Sequence, residues 1–529
     1  HTASAMLGVE AFDIAADKSK FPEQLTFTST WQPYRIVWNS SRWFYGDEAN
    51  MLERKPIKLE CGNYNSLLGK SYNEISAESR SMHKSQGFGT MGNRGSNFEY
   101  FEHLKGPKAE KDILEGIDFT WNRVPGGASI IPLVNKAITE FKIESPEASV
   151  SALIQIYKAI QKLPDSHYKI IKLQETQNLI KACLGIFVEV TAPEFSATPG
   201  ETIKLNIEAI NRSRANIDLT SLKIADFNKD TTFFKNLEDN KSVNTPLFVT
   251  LPASVSNSQP YWLNNKGSLG MYEINDQKLI GQPVNPGINL NYSLNIEGVT
   301  FTYETPVVFK KSDPVEGEIY RPFEIHNPVF LNTEANNLMF AEDKPKDLKV
   351  TVRAGKNNVS GDVVLELPSG WKAEPAKQAY NLRLKGQEQD VFFKLYPPKE
   401  AGTGSVKIKT ILDGKEYSQG YISLQHKHIP TQVYFPEATV KVVKLDIAKK
   451  GEKIGYIMGA GDEIPKYLEQ IGYKVSLLKD AEINEQNLKS FDAIILGVRA
   501  FNTIERMKFH VPKLFNYVKN GGNLIVQYN

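Results

Sequence analysis

The clearest pattern along the chain is a two-residue alternation. Ile203, Leu205 and Ile207 alternate with Lys204, Asn206 and Glu208, the period of a strand with one buried face. The turn-forming run Thr198-Pro199-Gly200-Glu201 precedes it, and short strands separated by Pro, Gly and Asn continue through Asn291 to Tyr303. This predicts an antiparallel sandwich. The scheme then repeats, with strand candidates at Leu348–Val352, Val363–Leu367, Val391–Leu395, Val406–Ile411 and Tyr421–Leu424. Upstream the period is helical: Leu153, Ile156, Tyr157, Ile160 and Leu163 share one helical face. The break Leu163-Pro164-Asp165-Ser166 offers Asp165 or Ser166 as N-cap of a second helix, which runs to about Leu184 and stops at Gly185. From about Lys441 the period changes again. Strands at Lys453–Met458, Lys474–Leu478, Asp492–Leu496 and Asn523–Val526 are separated by three helices. These are Glu463–Ile471, one closing at Asn487–Ser490, and Met507–Lys519. Such a βαβαβαβ order predicts a parallel sheet with right-handed crossovers. The first 125 or so residues are less regular. A helix opens at His1 and carries Ala5, Leu7, Val9 and Phe12, and Arg35-Ile36-Val37-Trp38 is a short strand. Ser71–Met82 is a helix running into His83, and Gly87, Gly89, Gly92 and Gly95 mark a loop.

The expected fold class is multidomain α/β plus all-β. The patterns divide the chain into an α/β region 1–127, a helical extension 128–188, a β-sandwich 189–315, a second β-sandwich 316–435 and a parallel α/β domain 445–529. The opening helix leaves no room for a leader. The last predicted strand lacks the loop and helix that normally follow in an α/β unit. Both ends therefore read as cut, and any targeting signal is expected upstream.

Composition narrows the function. The chain is 41% hydrophobic and 23% charged, ordinary for globular protein. A formal net charge of +2 gives no field that argues for nucleic acid. No run of about 18 apolar residues suggests a membrane span. Two cysteines, Cys61 and Cys183, exclude a disulfide framework and a cysteine-based zinc site.

Several residues could carry chemistry. His1 starts a helix, where a histidine serves as a metal ligand, a cap or an exposed residue. His83 and Gln86 follow the helix Ser71–Met82 and either cap it or border a pocket. Trp31, Trp38, Trp43, Phe44 and Tyr45 are close in sequence and form either a core or a stacking surface for sugar rings. Trp371, in the turn after Val364–Leu367, is expected on a sandwich edge. His426 and His428 alternate on one face of a strand, as surface residues or as part of a metal site. Gly459-Ala460-Gly461 lies between a strand and a helix but is only part of a dinucleotide fingerprint, because Ile464 holds the third glycine position.

Three stretches resemble the PIG-L (LmbE-like) family of N-acetylglucosamine deacetylases, and more closely its long multidomain members of Bacteroidetes type. The first comprises His1-Thr2-Ala3-Ser4, Phe21-Pro22-Glu23-Gln24-Leu25 and Trp31-Gln32-Pro33-Tyr34-Arg35. The second is His83-Lys84-Ser85-Gln86 with its glycine loop, and the third is Trp121-Asn122-Arg123-Val124-Pro125-Gly126-Gly127. The resemblance implies that residues 1–127 are the C-terminal part of a Rossmann-like deacetylase domain. It further implies that His1 is the last of three ligands to Zn2+ and that His83 borders the sugar pocket. The other ligands and a general-base Asp belong to a His-x-Asp-Asp motif that these 529 residues lack, so this chain alone is expected to be inactive. The implied parent is a zinc-dependent hydrolase acting on an N-acetylated sugar or glycoconjugate, periplasmic or secreted by analogy with other glycan-directed sandwich proteins. The competing reading is a non-catalytic carbohydrate-binding or scaffold protein. Residues 445–529 are similar to class I glutamine amidotransferase domains, which need a cysteine on a strand-to-helix elbow. The matching strand here runs into Gly497-Val498-Arg499-Ala500-Phe501, and no cysteine follows Cys183. A third reading places a ligand near Gly459, at the sheet's C-terminal edge.

Overall fold

The computed structural model describes residues 2–224, 229–282 and 287–528. It is a mixed α/β protein dominated by β-sheet. It separates into two compact units. The first is the chain through Glu140 together with Gln155–Thr176; the second is Phe141–Ile154 and everything from Gln177. Among the described residues, no helix is long and apolar enough to cross a membrane.

The first unit is built around a small antiparallel sheet. Phe98–Lys105 is its central strand, flanked by Ile36–Ser40 and Ile57–Glu60. The helix Tyr72–Ser81 starts in a capping box. Ser71 Oγ accepts the Glu74 N–H at 3.3 Å, and the Glu74 carboxylate accepts the Ser71 N–H at 3.0 Å. This reciprocal pairing satisfies two otherwise orphaned donors. At the helical break, Ser166 rather than Asp165 is the cap, its Oγ accepting the Lys169 N–H at 3.1 Å. The helix His167–Cys183 ends as its glycine requires. Gly185 is left-handed (φ 58°), and the Ile186 N–H reaches back to the Lys181 carbonyl at 3.2 Å.

In the second unit, Thr202–Ile210 buries Ile203, Leu205, Ile207 and Ala209 on one face. It belongs to an eight-stranded sheet that the long strand Val299–Asp313 holds together. The N-terminal half of that strand pairs with Asn289–Ile296, and its C-terminal half pairs with Phe187–Ala192 and Gly317–Pro322. One pairing departs from the expected antiparallel order, because Phe187–Ala192 runs parallel to Val299–Asp313. The same device recurs downstream, where Asn337–Phe340 pairs in parallel with Thr439–Lys444. Alternation along a strand reports which face is buried and says nothing of the direction of its neighbour.

Downstream, two sheets bury their apolar faces in one core. Val329, Leu331, Val350, Val352 and Phe393 come from one sheet; Phe340, Val359, Val406, Val440 and Val442 come from the other. Trp371 corrects an expectation. It is not on the edge but within this core, 7% exposed, with its ring edge-on to Phe340 at 5.0 Å.

A short parallel pairing of Glu324–Ile325 with Ser196–Ala197 joins the two β-regions. Around it lies a part-buried cluster. The Arg321 guanidinium sits 3.8 Å from the centre of the Phe195 ring and donates to Glu324 Oε1 at 2.7 and 2.9 Å and to the Tyr421 hydroxyl at 3.0 Å. His326 is 3% exposed among Phe330, Tyr421 and Phe435.

The chain's last sheet has four parallel strands in the order Lys474–Leu477, Lys453–Ile457, Ala493–Leu496, Asn523–Val526. Ile457, Ile494 and Leu496 pack with Met507 and Leu514 of the helix Met507–Lys519, whereas Ile454 and Ile495 face Leu468 of the helix Ile464–Gln470.

Candidate functional site

His1, the residue implied as zinc ligand, lies outside the described residues. The helix that follows it in sequence begins at Thr2 and runs to Ile14. It buries none of its residues. Its C-terminal half is tied down by the ion pair between Asp13 and Lys105, and by Gln32 Nε2 donating to the Phe12 carbonyl at 3.0 Å.

His83 stands two residues beyond the helix Tyr72–Ser81 and is exposed. Its backbone N–H donates to the Arg80 carbonyl at 3.1 Å, and its Nδ1 lies 3.2 Å from the same oxygen. The Gln86 N–H donates to the His83 carbonyl at 3.1 Å. Phe88 packs 5.9 Å from the imidazole and carries the Arg80 guanidinium over its face at 5.2 Å. This is the geometry of a side chain closing a helix and holding the loop after it. Among the described residues, no three His, Cys, Asp or Glu side chains converge as a metal site.

The aromatic residues are partly brought together. Trp38, on the strand Ile36–Ser40, packs 5.1 Å from Phe44 and 5.9 Å from Tyr45, and Trp43 lies 5.0 Å from Phe44. Trp43 is 80% exposed, so the group is an open aromatic surface and not a closed core. The Tyr45 hydroxyl donates to the Glu102 carboxylate, which raises its pKa. Trp31 is 72% exposed and has no ring contact with this group among the described residues.

Sequence reasoning missed the residue that holds this region together. The Arg35 guanidinium donates to three carbonyls, those of Pro107 and Ile113 at 2.6 Å and of Glu115 at 2.9 Å. Its partners are more than seventy residues away along the chain, so no local pattern could have announced the clamp.

His426 and His428 do not share a strand face. Ile422–His426 ends at the first of them, and His428 is in the hairpin turn that follows. Their rings are 5.8 Å apart and exposed. A tight turn reverses the chain at Lys427, which the two-residue period alone did not reveal.

At the C-terminal edge of the parallel sheet, the Tyr456 hydroxyl donates to the Asp462 carboxylate at 2.7 Å and accepts from Gln527 Nε2 at 2.6 Å. Burial, and then the Asp462 carboxylate, push the Tyr456 pKa far up. Gly459 has no room for a side chain, since a Cβ there would lie 2.1 Å from the Val498 carbonyl oxygen. The bend after Ala493–Leu496 falls on Arg499, which is left-handed at φ 58°. The sharpest point of this strand-to-helix connection thus carries a guanidinium side chain, where the amidotransferase resemblance asks for a thiol.

No protein-family model matches this chain, and no curated protein matches it. Among solved structures, it is similar to WR4, an MSP family member of C. elegans, at 9% identity over 22% of this chain and 98% of that one, with a TM-score of 0.14. It is also similar to a mutant of Salmonella alpha-2-macroglobulin, at 10% identity over 49% of this chain and 16% of that one, with a TM-score of 0.17. Likenesses this slight say nothing of what the chain does.

Proposed function

We propose that this chain is the C-terminal part of a zinc-dependent N-deacetylase that hydrolyses the acetamide of an N-acetylglucosaminyl substrate. The observation that carries the reading is the helix Thr2–Ile14, which starts directly after His1 in sequence. That is the position the PIG-L resemblance requires of the last zinc ligand. On this reading residues 1–127 complete a Rossmann-like deacetylase domain, the two β-regions are sandwich modules that hold the enzyme on a glycan, and the amidotransferase-like domain is structural. Zinc, when bound, would polarise the acetyl carbonyl and acidify a water. This chain would contribute the His1 imidazole to that metal, and Trp43 and Phe44 an aromatic face for a sugar ring. His83 would fix the glycine loop bordering the pocket.

The test compares this chain with a longer protein that includes the upstream His-x-Asp-Asp motif. The longer protein is expected to hold about one zinc per chain and to release acetate from N-acetylglucosamine glycosides; changing His1 to Ala removes both. This chain alone, with one of three ligands, releases none. Zinc absent from the longer protein, or acetate release that survives His1→Ala, would overturn the reading.

A second reading, a non-catalytic carbohydrate-binding protein, is favoured by a polar groove in the second unit, described next.

A further inference from the structure

A groove of about 660 Å³ opens where the two β-regions meet. Its walls come from three stretches far apart in sequence: the loop around Asn257, the segment at Asn327 and the run Lys415–Gln419. Only Pro199, Val255 and the ring of Tyr417 are apolar in its lining. The rest are amides, hydroxyls and a few charges, which is unusual, because small-molecule pockets are mostly apolar with a few polar groups.

The floor is a relay of side-chain amides. Asn257 Nδ2 donates to Asn327 Oδ1 at 3.2 Å, Asn327 Nδ2 donates to Gln419 Oε1 at 2.6 Å, and Gln419 Nε2 donates to the Phe435 carbonyl at 3.3 Å. The backbone beneath is fixed as well. Gln419 bridges to Glu437, and its carbonyl accepts the Leu331 N–H at 2.9 Å. Ser258, one residue past Asn257, exchanges two hydrogen bonds with Ile325: its N–H donates to the Ile325 carbonyl at 2.7 Å, and its Oγ accepts the Ile325 N–H at 3.0 Å. The groove is therefore preorganised, and a ligand need not bear the entropy of ordering it.

The charges decide what kind of ligand fits. Glu416 is paired with Lys407 and Lys409 at 3.2 Å each. Lys415 lies 5.5 Å from the centre of the Tyr417 ring. With Glu437 the only other charged residue in the lining, the groove has neither the cluster of cations an anion would need nor a set of carboxylates for a cation. Amides and hydroxyls both donate and accept, as sugar hydroxyls do. Tyr417 is part-buried against the core, and the Lys415 ammonium lies over its ring, so recognition in this groove falls to the amides and hydroxyls. A peptide would also find amide partners, but the groove has no apolar sockets for its side chains.

From this geometry we infer that the groove beside Asn257, Asn327, Tyr417 and Gln419 binds a neutral oligosaccharide. The inference shares the carbohydrate part of the proposed function, and its test needs no zinc. The full chain is titrated in EDTA with chitotetraose, its fully de-N-acetylated cationic form, cellotetraose and an uncharged tetrapeptide. Binding is followed by calorimetry and by saturation transfer to the ligand protons.

A neutral tetrasaccharide is expected to bind, and the cationic tetramer and the peptide more weakly. Asn257→Ala should weaken binding about three- to tenfold, the loss of one hydrogen bond. Ser256→Trp, at an exposed rim position, should block the groove without entering the core. An unchanged melting temperature in each variant separates lost binding from lost folding. No saccharide binding up to about 10 mM, a Kd near −3 kcal/mol of affinity, would overturn the inference. So would stronger binding of the peptide or the cationic tetramer, or saccharide binding that Ser256→Trp leaves intact. Because no step involves the metal, none of these outcomes bears on acetate release by the longer protein.

Discussion

His326 offers a sharp test of how the two β-regions are joined. Its imidazole is enclosed by Phe330, Tyr421 and Phe435, and Nδ1 sits 3.0 Å from the Asn327 carbonyl oxygen. Burial pushes its pKa down to about 4, and the nearby Lys385 and Arg353 cations act in the same direction. The folded state thus holds a neutral imidazole, whereas the unfolded chain protonates it near the ordinary histidine value of about 6.5. Between those values the unfolded chain binds the extra proton, so stability rises with pH there. The contribution is complete above about pH 6.5 and is lost as pH falls towards 4. Each pKa unit is worth about 1.4 kcal/mol, so lowering pH from 7.5 to 4.5 should cost about 2–3 kcal/mol through this residue alone. Glu324, two residues away, works the other way. Burial raises its pKa against the pull of Arg321, so it favours the folded state less as pH rises above the ordinary carboxylate value. Because the two overlap, the wild-type slope mixes both, and a difference measurement is needed. His326→Leu removes the titration while keeping an apolar group in the cage. The assay is urea unfolding at pH 7.5, 6.0 and 4.5, read by hydrogen exchange in the strands Val329–Thr333 and Ile429–Tyr434. A local probe is required because a chain of several bodies need not unfold in one step. The wild type should lose about 2–3 kcal/mol more than the variant over that range. Parallel pH profiles for the two proteins would refute the claim that the cage keeps His326 neutral.

Two further changes probe the same region. Arg321→Ala strips the Glu324 carboxylate, 3% exposed, of its guanidinium partner. An uncompensated buried charge of this kind costs about 3–5 kcal/mol, to be read as a lower urea midpoint than the wild type for the same strands at pH 7.5, with a smaller deficit relative to the wild type at acidic pH, where the orphaned carboxylate can take a proton. Trp371→Ala should cost about 3–5 kcal/mol in the stability of the second β-region, because the indole fills its core against Phe340; a loss under about 1 kcal/mol in urea unfolding would place the ring at the surface after all.

The strands and helices were legible because their periods are strong. Ile203, Leu205 and Ile207 announce a half-buried strand, and they are buried. Gly185 announces a helix end, and it adopts the left-handed turn that ends one. What the period could not carry is where one body stops. The strand Thr439–Lys444 is central to a sheet, pairing with Gly402–Leu412 on one side and Asn337–Phe340 on the other. In sequence it falls between the expected second sandwich and the expected α/β domain, because Val440 and Val442 alternate with Lys441 in the way an isolated linker strand also would. Likewise Gly317–Pro322 pairs with Val299–Asp313, so the first sheet continues past residue 315. Partner choice over a hundred residues is a tertiary property, and alternation is a local one.

The same distinction governs the sites. His83 was visible as a helix-ending histidine, and its contacts to Arg80 and Phe88 are local. Asn257, Asn327 and Gln419 gave no signal, since each is an ordinary polar residue in a loop or at a strand end. They meet only in the fold, where Asn257, Asn327 and Gln419 form one hydrogen-bonded line from three distant parts of the chain. A catalytic motif concentrates reactive groups over a few residues and can be read as text. A groove for a neutral ligand needs no reactive group, only weak donors and acceptors in register, so its residues become conspicuous when the fold has placed them.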